Sequence, residues 1–214
     1  MTPVEFIRSH TAVSSPPACP ELRLYLSSDV TPLWEATEAY LEQNNVPPPY
    51  WAFPWVGGQA LARHILDNPA LVAGKSVLDF ASGSGLVGIA AKLAGAAEVL
   101  ATDIDKVALA AIELNMKENG VEIDVSDRNV LDEEECPWDV IVAGDVCYEK
   151  PMAEKTFAWL RRCSAKGAKA LMADPGRAYL PKTGLMRLDR ITVACSLDLE
   201  DKESRDVGIY QIVG

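Results

Sequence analysis

Basic charge is scarce in this sequence. Its 214 residues carry 20 Lys and Arg against 31 Asp and Glu, a formal net charge of −11. A bare nucleic-acid surface is excluded on that balance, because neutralising phosphates needs clustered Lys and Arg. A basic protein patch or a cationic cofactor suits it better. Histidine is scarcer still: His10 and His64 stand apart, so no metal site is expected. Cys19, Cys136, Cys147, Cys163 and Cys195 form no C-x-x-C pair and are odd in number, which reads as reduced, mostly buried thiols of a cytoplasmic protein. No apolar run approaches the ~20 residues that span a bilayer, so no membrane partner is expected. The first fifty residues hold only Arg8 and Arg23 as basic residues against six acids, the wrong balance for a secretory signal or a transit peptide.

Apolar residues are plentiful at 49%, enough for a sizeable core. The length suits one domain with an N-terminal extension. The boundary falls near "PWVGG", giving residues 1–56 as extension and lid-like segment and 57–214 as the main domain. Residues 1–30, with "SSPPACP" and no sustained period, read as a loosely structured lead-in. "TPLWEATEAYLEQNN" (31–45) predicts a helix with Thr31 as N-cap and Pro32 at its first position. "GGQALARHIL" predicts another.

From Lys75 onward the elements alternate. Strands are expected at "KSVLDF", "EVLATD", "EIDVSDRN", "WDVIVAGD" and "AKALMAD". Helices are expected at "LVGIAAKLAGA", at "DKVALAAIELNMKENG", capped by Asp105 and closed by Asn119-Gly120, and at "PMAEKTFAWLRRCSAKG". "RITVACSL" and "VGIYQIVG" read as a closing hairpin around the charged turn "DLEDKESRD". Such alternation implies an α/β fold with a doubly wound parallel sheet and an antiparallel edge.

In that architecture a ligand binds where the first strand turns into its helix. The stretch there is "LDFASGSGLVG", and residues 83–88 satisfy G-x-G-x-x-G. Asp103, 20 residues after Gly83, ends the second strand and is placed to accept hydrogen bonds from a ribose. Asp79 separates two cofactor readings. A dinucleotide would bring its pyrophosphate beside that carboxylate, and like charges at low dielectric repel strongly. S-adenosylmethionine brings a sulfonium and an ammonium instead, which a carboxylate favours. The bland reading of Asp79 is a cap on a loop amide.

"VLDFASGSG" resembles the first motif of class I, seven-strand methyltransferases. Within them the chain is most similar to the lysine methyltransferases of the electron transfer flavoprotein β-subunit, over about residues 30–214. The resemblance rests on "PPPYWAFPWVGGQALARHILDNP", "GKSVLDFASGSG", "DID" at 103–105, "GDVCY" at 144–148 and "DPGR" at 174–177. It implies a Rossmann-like sheet of order 3-2-1-4-5-7-6 with the last strand antiparallel, S-adenosylmethionine as cofactor, and methyllysine as product on a loop by which the flavoprotein meets its dehydrogenases. It also implies that Trp55 and Gly57–Gly58 lie close to the cofactor and that Asn129 reaches the adenine. The expected cofactor-binding set is Trp55, Asp79, Ala81, Gly83, Gly85, Asp103, Ile104, Asn129, Val130 and Asp145. Ala81 departs from the family, which has Gly there; a positive φ at that position would cost Ala about 1 kcal/mol or more.

Methylating a lysine has a specific need. In water its pKa is ~10.4, so at neutral pH it is nearly all ammonium and lacks a lone pair. Asp145 and Tyr148, after the fourth strand, are the expected catalytic pair: Asp145 to attract the ammonium and hold the amine, Tyr148 to wall the pocket. The competing reading makes Asp145 a cap for the helix starting near Pro151 and Tyr148 a packing residue. The aromatics at 50–55 read as core, as lid or as cofactor contacts. Arg177 reads either as a substrate-positioning group or as structural. Cys147 has no basic neighbour to activate it and reads as a buried thiol.

Three other functions compete. A nucleic-acid amino-methyltransferase would carry Pro-Pro within the "DVCY" position, and "PPPY" at 47–50 lies before the cofactor loop instead. A ribosomal-protein lysine methyltransferase is the runner-up. An NAD-dependent oxidoreductase is disfavoured by Asp79. A monomer acting on a protein substrate is expected.

Overall fold

The computed structural model describes residues 1–28, 33 and 48–213. The helix expected over 31–45 lies outside these, Leu33 excepted.

Residues 1–28 are not a loose lead-in. Pro3–His10 form helix α1, entered through a capping box: Thr2 Oγ1 accepts from the Glu5 amide at 3.2 Å, and the Glu5 carboxylate accepts from the Thr2 amide at 2.7 Å. T-x-x-E with Pro in the first turn is the sequence signature of such a start. Strands β1 (Ala12–Ser14) and β2 (Leu24–Leu26) then pair antiparallel. This extension docks on the main domain through hydrogen bonds with Asn115 and Asn119, while Phe6 and Ile7 bury against Ala108, Ala111 and Leu114.

Helix α2 (Val56–Asp67) leads into the main sheet. The sheet is built from β3 (Ser76–Phe80), β4 (Glu98–Thr102), β5 (Asp124–Ser126), β6 (Val140–Gly144), β7 (Lys169–Asp174), β8 (Leu185–Ala194) and β9 (Ser204–Ile212). Their spatial order is β5-β4-β3-β6-β7-β9-β8, with β9 antiparallel to both neighbours. Counted from β3 this is 3-2-1-4-5-7-6, the order that the resemblance implies. Helices α3 (Leu86–Leu93), α4 (Lys106–Asn119) and α5 (Lys150–Ala165) make the crossovers. Asp105 caps α4 by accepting from the Val107 amide, and Gly120, at φ 62°, closes it.

Period-two alternation sends each central strand's residues into two cores. Val77, Val142 and Ala173 face α2 and α3, while Leu78, Ile141 and Met172 face α5 with Trp159 and Leu160. Each fully buried Leu, Ile or Val contributes roughly 1.5–3 kcal/mol, so the strands are held from both faces. Asp79 breaks the pattern: it is a buried acid on the α3 side of β3.

The closing hairpin differs from its expected bounds. β8 begins at Leu185, five residues before "RITVACSL", because a register shift between Arg187 and Asp189 disrupts the alternation that would mark it. The expected turn contains a short helix, α6 (Leu197–Glu200), ended by Asp201 at φ 54°.

Replacing Thr2 by Ala removes the α1 cap. The expected loss is about 1 kcal/mol, seen as a melting temperature lower by roughly 2–4 °C. An unchanged melting temperature would mean that α1 is held by its packing alone.

Candidate active site

The carboxyl ends of β3, β4, β6 and β7 converge on one cavity of about 560 Å³, within the range of small-molecule and cofactor sites. Its donor end is the loop between β3 and α3. Ala81, Gly83 and Gly85 there have φ of 51°, 53° and 78°. The left-handed backbone at Ala81 means that the departure from Gly does carry strain. Asp103 Oδ2 accepts from the Gly83 amide at 2.9 Å and its Oδ1 from the Asp105 amide at 3.0 Å. Burial raises the Asp103 pKa, and these amides oppose the rise.

Asp79 lines the cavity floor and Oδ2 accepts from the Gly88 amide in the first turn of α3 at 2.8 Å. It is therefore both a wall of the cavity and an anchor for the helix. A Cβ on Gly88 would stand 3.0 Å from that oxygen, so the last glycine of the motif is the gap through which the acid reaches the helix. Burial pushes the Asp79 carboxyl up to about 7 from an ordinary 3.8.

The acceptor end is built around Asp145. Its φ of 54° turns the side chain back beneath α2, a conformation that Asp tolerates better than most residues. Oδ2 accepts from the amides of both Gly57 and Gly58. These are orphan donors of a helix start whose N-cap, Trp55, supplies no side-chain cap. Oδ1 accepts from Arg177 Nε at 3.2 Å and Nη2 at 2.9 Å. A carboxylate offers about four acceptor positions, and here the protein itself fills them all. Asp145 is expected to attract the ammonium and hold the amine; in this structure its acceptor positions are taken by protein donors. It does cap a helix, but α2 rather than the one near Pro151. Burial raises its carboxyl to about 6, opposed by the charge of Arg177.

No side chain fits at Gly57 or Gly144. A Cβ on Gly57 would lie 2.7 Å from Asp145 Cγ and 2.8 Å from the Ala173 carbonyl, and one on Gly144 2.9 Å from the Gly58 backbone.

Aromatics roof this end. Tyr148 stacks at a tilt on Tyr50, centroids 5.5 Å apart, and Tyr50 meets Trp55 edge-on at 5.9 Å. Tyr148 Oη is 3.6 Å from Met152 Sδ, and burial pushes the phenol up to about 12, so it stays a neutral hydroxyl. Arg177 sits over the Trp55 ring, 5.9 Å from its centroid.

Of the expected set, Trp55, Asp79, Ala81, Gly83, Asp103, Ile104, Asn129, Asp145 and Tyr148 line this one cavity. Gly85 and Val130 do not. Gly85 opens α3 against Ile112, and the Val130 side chain is buried in the α5-side core. Asn129 Oδ1 accepts from the Leu131 amide at 3.1 Å. Cys147 is buried, its thiol pushed up to about 12 by that burial, as suits an inert residue. Glu200 was hidden in a charged run. It is 1% exposed at the side chain and pairs with Arg177 at 2.6 Å. Only the chain crossing of the last hairpin brings it there.

A sheet of this order, with a glycine loop and two acids at its carboxyl edge, defines a class I methyltransferase fold. The solved structure of Pyrococcus abyssi tRNA (uracil-54, C5)-methyltransferase in complex with S-adenosyl-L-homocysteine superposes with a TM-score of 0.54 at 14% identity, covering 71% of this chain and 38% of that one. Residues 60–146 match the profile of the ribosomal protein L11 methyltransferase (PrmA) family. The electron transfer flavoprotein beta subunit lysine methyltransferase of Xenopus laevis is 41% identical over 187 residues, covering 86% of this chain and 75% of the relative. That of Rattus norvegicus is 41% identical, covering 80% and 68%. The chain belongs to the electron transfer flavoprotein β-subunit lysine methyltransferase family.

Two outcomes test this geometry. Ala81→Gly relieves left-handed strain of about 1–2 kcal/mol but loosens the unfolded chain, so a net gain of about 0.5–1 kcal/mol is expected by denaturant titration; a loss would place the strain elsewhere. Asp79 is neutral-favoured when folded, so its contribution is fully present below pH 3.8 and lost as pH rises through about 7. Asp79→Asn should exceed the wild type in melting temperature by a small margin near pH 5 and by a larger one at pH 8. A gap independent of pH would show that Asp79 ionises freely.

Proposed function

We propose that this protein transfers a methyl group from S-adenosylmethionine to a lysine of the electron transfer flavoprotein β-subunit. The observation that carries the proposal is one cavity holding both a donor loop and a roofed acceptor end, in a chain 41% identical over most of its length to relatives of that name.

The residues present suit the donor. Asp79 and Asp103 are buried carboxyls that a nearby cation draws into their ionised form, so the cavity floor favours a cation and disfavours a pyrophosphate. Ile104, 74% exposed, and Leu131 offer apolar contact for a nucleobase beside Asn129. When bound, S-adenosylmethionine supplies a sulfonium methyl carbon to which an amine lone pair can bond while the carbon–sulfur electron pair returns to sulfur. The chain's own part is to exclude water and aim the amine. Tyr50, Trp55 and Tyr148 wall the opening, and Asp145 fixes the start of α2 against the end of β6. One proton leaves the lysine ammonium to solvent before transfer, and the methylated product is itself an ammonium. We place the enzyme in the cytoplasm as a monomer, where five free thiols stay reduced.

The ribosomal-protein reading draws on the match at residues 60–146. That span runs from α2 to just past β6 and covers the donor end. Tyr148, Arg177 and Glu200 lie outside it, so it bears on the cofactor rather than on the methyl acceptor.

With tritiated S-adenosylmethionine, purified flavoprotein β-subunit should take up label and intact ribosomes should not. Label in ribosomes with none in the β-subunit would replace this proposal by the runner-up.

A further inference from the structure

The acceptor end of the cavity holds a fixed guanidinium inside an ion cluster that is neutral overall. Arg177 Nε and Nη2 bind Asp145 Oδ1, while Nη1 and Nη2 reach Glu200 Oε2 and Oε1 at 3.2 and 2.6 Å. Glu200 is itself held: Arg205 Nε stands 3.3 Å from its carboxylate, and Arg205 Nη2 donates to its backbone carbonyl at 3.0 Å. A guanidinium gripped by two buried carboxylates, with an indole face against it, does not swing aside for another cation. Yet Arg177 still lines the cavity.

The two features that would attract a lysine ammonium here are a carboxylate and an aromatic face. Arg177 occupies the Asp145 carboxylate and the Trp55 face, leaving the rings of Tyr50 and Tyr148 as aromatic wall. A protonated lysine reaching this end meets like charge and no vacant acceptor position on Asp145. A neutral amine meets neither obstacle.

We infer that Arg177 is an electrostatic positioning residue that holds the acceptor lysine in its neutral, nucleophilic form, with Glu200 fixing the guanidinium in place. The inference rests on the lysine-methylating reading above. The lysine proton leaves to solvent before transfer, and no further reactant is needed.

The surrounding charges leave that role to Arg177. Asp145 at the end of β6 and Glu200 on α6 are formally matched by Arg177 and by Arg205 on β9. Asp174 Oδ1, at the end of β7, accepts from the Gly176 and Arg177 amides. Asp103 is bonded to loop amides at the donor end. Tyr148 remains a neutral hydroxyl, and burial raises the Tyr50 phenol as well, with Glu149 adding to it. Asp79 bonds the Gly88 amide at the donor end; Lys155 of α5 and Arg128, which pairs with Glu133 at 2.7 Å, also line the cavity, but Arg177 is the cation seated over Trp55.

The test is the pH dependence of kcat at saturating flavoprotein β-subunit, since kcat reports groups of the bound complex. In Arg177→Met the acid limb should move up by about one pH unit, lowering kcat at pH 7 about 10-fold. Arg177→Lys should return the limb towards its wild-type position. Glu200→Gln leaves the guanidinium less compensated, so its limb should move down or stay. Calorimetric affinity for S-adenosylhomocysteine should stay within about twofold in every variant, marking the donor end as intact. A uniform loss of kcat with an unmoved limb in Arg177→Met overturns the inference. So does an upward shift in Glu200→Gln, which remains decisive if Arg177→Met does not fold. A wild-type chain that methylates no lysine at all overturns the function proposed above, and this inference with it.

Discussion

The carboxylate of Asp145 is the constraint on which the acceptor half of the molecule depends. It receives two amides from α2 and two guanidinium nitrogens from the loop after β7, and so ties the start of that helix to the carboxyl edge of the sheet. Burying such a charge is unfavourable by several kcal/mol unless its partners are well aligned. Two acids and two bases here, Asp145, Glu200, Arg177 and Arg205, sum to zero formal charge. Removing one partner strands the others, which is why buried pairs of this kind are strongly destabilised by single deletions, by about 3–5 kcal/mol. The missing side chains at Gly57 and Gly144 belong to the same constraint. They let backbone approach backbone closely enough for the amides to reach one carboxylate.

The donor half follows a parallel logic with different parts. Asp79 and Asp103 each bind a backbone amide of the loop or helix that they flank, at Gly88 and Gly83. The loop is thus shaped by the same acids that give the cavity its charge. Asp79, raised to about 7 by burial, keeps this arrangement sensitive to what sits beside it. A nearby cation favours its ionised form, and an empty apolar surrounding favours the neutral one.

Much of this was legible in the residues. The alternating strands and helices, the glycine loop, Asp105 as a cap and Gly120 as a stop are local patterns, and they read correctly because local physics decides them. The aromatic run at 50–55 signalled the site through its resemblance, and it does line the cavity. Other features depend on distant contacts. Val130 follows Asn129 in sequence, yet the single 3-10 turn that it opens (Val130–Asp132) buries its side chain in the core. Glu200 sits in a turn with six other acidic or basic residues and reads as solvated, since only the sheet order carries α6 over Arg177. The start of β8 was masked by its bulge. The N-terminal capping box was readable from Thr2, Pro3 and Glu5; the proline-rich stretch that follows obscured it.

The order of the sheet also bears on when each half of the site can form. β9 comes last in sequence but sits between β7 and β8, so β8 has no place in the sheet until β9 has paired with β7. The donor loop needs only β3, β4 and the helices near them, which are close in sequence and suited to early assembly. Glu200 lies on the connection between the last two strands and Arg205 at the start of β9. A chain emerging from the ribosome therefore acquires a cofactor cradle well before it can lock Arg177 in place, and the acceptor end matures as the closing event of folding.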